Sequence, residues 1–100
     1  MELMGKLRKS FGRESVESVD VLERGDGDVH LLIKRGFWEV REWFESYYAY
    51  KGYAKGCETP SRFSTVAFFE GEKGSAFVNI TPCPCNKKEV LVTASELAYR

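Results

Sequence analysis

The chain has 100 residues, 43% hydrophobic and 14% aromatic, with 15 basic and 15 acidic side chains that cancel to a formal net charge of zero. That length suits one domain burying roughly 60–70% of the surface its unfolded form exposes, and this apolar content argues against disorder. Without net charge there is no whole-molecule field to draw in nucleic acid or anionic lipid, so any such binding has to come from a local patch.

Residues 1–13 are a basic segment, helical or mobile, carrying Lys6, Arg8, Lys9 and Arg13. These charges interrupt every apolar run near the N-terminus, and nowhere do apolar residues approach the ~20 in succession that a membrane-spanning helix needs. A cytoplasmic protein with no membrane partner is the expectation. An acidic stretch follows, from Glu14 to Asp28.

Val16 to Glu23 reads as a strand, and Val29, Leu31 and Ile33 alternate with His30, Leu32 and Lys34 in the two-residue period of a second. Between them, Asp26-Gly27 supplies the residues a tight hairpin turn favours. From Phe37 to about Tyr53 the period changes to that of a helix. At 100° per residue, Phe37, Val40, Trp43, Phe44, Tyr47, Tyr48 and Tyr50 fall in one broad stripe, with Glu39, Arg41, Glu42, Glu45 and Ser46 opposite. Gly36 caps the start, and Gly52 and Gly56 mark the close. Aromatic residues are weak helix formers, so burial has to hold this segment in place.

After a loop from Cys57 to Ser61, Phe63–Glu70, Ser75–Thr81 and Glu89–Ala94 read as three strands, and Ser95–Arg100 as a terminal helical turn. The expected fold is a single α+β domain over residues 1–100, of ββαβββ order, with a twisted antiparallel sheet packed on one long amphipathic aromatic helix. Leu32, Phe77 and Leu91 then point away from the helix. An apolar patch of that kind marks an interface, and dimerisation through the outer sheet face is expected.

Chemistry-bearing residues are few. Cys57, Cys83 and Cys85 with His30, the single histidine, total the four ligands of a tetrahedral zinc site. Their spacing lacks paired Cys-x2-Cys knuckles, so no cofactor is expected and zinc is kept as an alternative. A bridge from Cys57 to Cys83 or Cys85 is a further alternative to reduced thiols, because a chain with no Gln and two Asn beside abundant Glu, Lys and Arg resembles proteins of hot environments, where intracellular disulfides occur. His30 has no evident nucleophile or orienting carboxylate beside it, and no glycine-rich phosphate cradle is present.

Trp38 and Tyr53 fall off the buried stripe and are candidates for packing against a partner or a base. The leading expectation is a non-catalytic binding module, homodimeric through the outer sheet face, with Trp38, Phe77, Leu91 and Leu32 as interaction residues. The alternatives are a single-stranded nucleic-acid-binding protein using Lys6, Arg8, Lys9 and Arg13, and a small zinc or thiol protein.

Overall fold

Leu3, Leu7 and Phe11 recur every four residues, which lines them along one side of a helix. In the computed structural model, which describes residues 2–19, 28–60, 64–84 and 86–99, this segment is helix α1 (Glu2–Phe11), and all three side chains are buried. Gly12 ends it in the left-handed region at φ 94°, its N–H returning to the Arg8 carbonyl. A 3-10 turn (Arg13–Ser15) then leads into the short strand β1 (Val16–Ser18).

Strand β2 (Asp28–Ile33) buries Leu31 and Ile33 as their alternation requires. The expected hairpin turn at Asp26-Gly27 lies outside the described residues, as does the expected strand end at Glu23. Helix α2 (Phe37–Tyr50) follows, ending at Gly52 with φ 89°. Val40, Phe44, Tyr47 and Tyr48 are buried on it, and Phe37 and Trp43 pack against the same core. Tyr50 departs from the expected stripe and is 83% exposed. It lies on the stripe's outer edge in the last turn, where Lys6 of α1 covers its ring from 5.9 Å.

Strands β3 (Ala54–Pro60), β4 (Thr65–Glu70), β5 (Gly74–Cys83) and β6 (Asn86–Ala98) complete one six-stranded antiparallel sheet of order β1-β2-β6-β5-β4-β3. Two segments differ from the sequence expectation. Residues 57–60, read as loop, belong to edge strand β3, whose lack of alternation follows from a bulge between Lys55 and Cys57. Ser95–Ala98, read as a helical turn, extends β6, because Gly74–Phe77 of β5 offers it a ladder to pair with.

Both helices cover one face of the sheet. Val16, Leu31, Ile33, Ala67, Phe69, Ala76, Val78, Ile80, Val90, Val92 and Ala94 meet Leu3, Leu7, Phe11, Val40, Phe44, Tyr47 and Tyr48 there in a single core. Trp43 joins the helices, donating its indole N–H to Ser10 Oγ at 2.7 Å. Among the described residues, the opposite face of the sheet carries no helix.

Candidate functional site: the uncovered sheet face

Side chains paired across antiparallel strands share a face, so the register maps the uncovered surface directly. Leu32 stands opposite Leu91, and Leu91 opposite Thr81. One row on, His30, Thr93, Asn79 and Val66 lie side by side across four strands. The next row runs Asp28, Ser95, Phe77, Phe68 and Cys57. The Phe68 and Phe77 rings are 5.3 Å apart. Leu91 is 43% and Phe68 45% exposed, large values for apolar side chains in the middle of a sheet.

Charge is kept to the margins of this face. Asp28 and Glu70 stand at strand ends, and Glu17 pairs with Lys34 at 3.2 Å along the β1–β2 side. In a chain with 30% charged residues, the described centre of this face carries none, and the charged side chains lie at its margins. In the central row His30 Nδ1 lies 3.2 Å from Thr93 Oγ1, and Asn79 Oδ1 accepts from the Thr81 hydroxyl of the neighbouring row at 3.0 Å.

Leu32, Phe77 and Leu91 therefore share the outer face of the sheet, and Trp38 lies apart from them, off the buried stripe of the helix. It is 69% exposed on the helix layer, on the other side of the molecule, with Phe37 edge-on at 5.1 Å and the Arg41 guanidinium 5.6 Å from its ring centre. Tyr53, the other candidate off the stripe, stacks on Tyr48 at 5.8 Å.

The basic N-terminal residues also belong to the helix layer. Lys6, Lys9 and Arg13 are exposed, whereas Arg8 is half-buried. Arg35 ties down the end of α1 through a 2.7 Å hydrogen bond to the Phe11 carbonyl. Glu14, Glu39 and Glu42 are exposed as well, and Glu39 lies 3.8 Å from Arg35.

The sheet register separates the proposed metal ligands. Cys57 is two strands and six residues from Cys83, or roughly 20 Å at ordinary strand spacings, and His30 lies roughly 15 Å from Cys83. These separations exclude a Cys57–Cys83 bridge and a shared metal. Cys85 lies outside the described residues, and among those described no group of three or more His, Cys, Asp or Glu could hold an ion.

Among the described residues, a dense charged cluster sits where α2 meets the edge of the sheet, and it was not legible in sequence because it joins positions on separate elements. Arg41 donates Nε–H to Glu58 Oε2 at 2.8 Å and a second N–H to Oε1, while the Thr65 hydroxyl donates to Oε2 at 2.8 Å. Lys55 reaches both Glu45 and Glu58, at 2.7 and 3.2 Å. The Arg41 guanidinium, helped by Thr65 and Lys55 and opposed by partial burial, holds the Glu58 carboxyl down at about 2. Such a carboxylate, fully occupied by donors, is a structural clasp and not a proton-transfer group near neutrality.

Tyr48 is the one buried phenol whose hydroxyl has no hydrogen-bond partner among the described residues, and burial pushes its ionisation far up. Among the described residues, no helix is long and apolar enough to cross a membrane. Comparison with known proteins gives no match to a family model, a curated protein or a solved structure.

Proposed function

We propose that this chain is a non-catalytic interaction module that associates with a second copy of itself through the uncovered face of the sheet. The observation that supports this reading best is the placement of Leu32–Leu91 and Phe68–Phe77 in an uncharged field with charge only at its margins. An isologous interface brings a patch against its own copy, and a centre without charge meets itself without repulsion. Its size is also suitable: six strands at ~4.8 Å by six residues at ~3.4 Å give roughly 600 Å² in flat projection, before side-chain relief is added, near the ~800 Å² per partner of a standard interface. The strongest ionic cluster supports the non-catalytic half of the reading, since Arg41, Glu58, Lys55 and Thr65 are spent on one another. Trp38, on the far side, stays exposed in such a dimer for a different protein partner.

Sedimentation across about 1–500 µM tests this. The expected species is a dimer of the 11.4 kDa chain, with Phe77→Glu and Leu91→Glu each weakening association by at least about 30-fold, the scale of an interface hot spot. Unchanged far-ultraviolet circular dichroism in both variants shows the monomer intact. A wild-type chain that stays monomeric throughout this range overturns the proposal.

A further inference from the structure

Resting on that reading, we infer that the two sheets pack crossed, with the two-fold axis running diagonally over the face from Leu32–Leu91 to Phe68–Phe77. The two apolar pairs occupy opposite corners of the four central strands. From the middle of one pair to the middle of the other is two strand spacings across and four residues along, because Leu91 faces Thr81 and Phe77 lies four positions earlier in β5. At ~4.8 Å per strand and ~3.4 Å per residue, the line joining them is inclined roughly 35° to the strands.

A two-fold along that line, in the plane between the sheets, lays each apolar pair on its own copy. It also carries the polar run of His30, Thr93, Asn79 and Thr81 over the same run of the second copy. The strands of the two sheets then cross at roughly 70°, close to the orthogonal class of sheet packing. The aligned alternatives fit poorly. An axis parallel to the strands sets Phe68 over Asp28, and one perpendicular to them sets Leu32 over Asp28, so either buries a carboxylate against an apolar side chain. An axis along the other diagonal passes beside Asp28 and sets that carboxylate on its own copy, with His30 over Phe77.

Thiol cross-linking reads this geometry. With Cys57, Cys83 and Cys85 replaced by Ser, Leu32→Cys and Phe68→Cys should each be joined to the same residue of the second copy by a short bis-maleimide, because both sit beside the diagonal axis. Val66→Cys, roughly 12 Å off register from its own copy before the ~10 Å gap between sheets is added, should not link. A measurement free of substitutions is the isotope-filtered Overhauser spectrum of a mixed-label sample, which should show contacts between Leu32 and Leu91 methyls of different copies. A dimer in which Leu32→Cys or Phe68→Cys fails to link, or in which those methyl contacts are absent, overturns the crossed arrangement and leaves the dimer standing. A monomer at all concentrations overturns the dimer itself.

Discussion

Replacing Glu58 with Gln keeps the shape of the side chain and removes the charge that clasps helix α2 to strand β3. The carboxyl is held at about 2 against an ordinary ~4.3, and each unit of lowering corresponds to about 1.4 kcal/mol, so the clasp is worth about 3 kcal/mol. The Glu58 and Arg41 side chains are 14% and 24% exposed, sheltered enough for most of that value to survive solvent screening. Glu45 remains to receive Arg41 and Lys55 in the variant, which brings the expected loss to about 2–3 kcal/mol. The sign follows from the direction of the shift. A folded-state carboxyl lowered below its unfolded value contributes fully above about pH 5, and that contribution disappears as pH falls toward about 2. Urea unfolding followed by tryptophan fluorescence at intervals between pH 7 and 2 measures both quantities. The wild type should lose about 3 kcal/mol more than Glu58→Gln across the acid limb, so the two curves converge near pH 2. Parallel curves, or a variant within about 0.5 kcal/mol of the wild type at pH 7, would refute this account of the clasp.

Three further substitutions probe the core, a turn and the surface. Tyr48→Phe removes a buried hydroxyl that has no partner among the described residues, so thermal unfolding should show stability unchanged or raised by up to about 1–2 kcal/mol; a loss beyond 1 kcal/mol would reveal a hydrogen bond to that group. Gly74→Ala sets a Cβ against the Leu97 carbonyl oxygen, on backbone fixed by the β5–β6 ladder; a loss of about 1–3 kcal/mol is expected, and a neutral result would show that the ladder yields. Trp38→Ala should leave both the melting temperature and the self-association constant within error, since the residue is exposed and far from the uncovered face. A dimer that dissociates in this variant would place the interface on the helix layer instead.

Most of the fold was legible because the periods are clean. Helix α2 begins where Phe37 starts the stripe and closes at Gly52, and the alternation in β2, β5 and β6 assigns Leu31, Val78 and Val92 to the core and Leu32, Phe77 and Leu91 to the other face. Strand β3 was not legible, because Lys55, Gly56 and Cys57 straddle a bulge and its inner face carries the ionic Glu58 where an apolar residue would have signalled a strand. Helix α1 reads ambiguously because only Leu3, Leu7 and Phe11 stand out among its charges, and their burial depends on α2 and β1 arriving beside them. The grouping of Leu32 with Leu91 and Phe68 with Phe77 requires strand order and register, which connect β2 to β6 across the whole chain. Composition also suggested a four-ligand metal set, but register sends Cys57 and Cys83 to distant parts of the sheet.

That β2–β6 pairing has a kinetic consequence. Strands β3 to β6 are joined to their sequence neighbours, and their hairpins close over short loops, whereas Val29 must find Ala94 across some 60 residues. Within the sheet, the β1–β2 pair joins the other strands through this one seam, and α1 adds its core contacts. This N-terminal unit should dock late in folding and open early under native conditions, with amide exchange faster in Leu31 and Ile33 than in Val78 and Ile80. Leu32 travels with the N-terminal unit, so each opening of the seam takes half of the Leu32–Leu91 pair off the outer face. Self-association would then close the seam as well as cover the sheet, and the slowest-exchanging form of β2 should be the one found at high protein concentration.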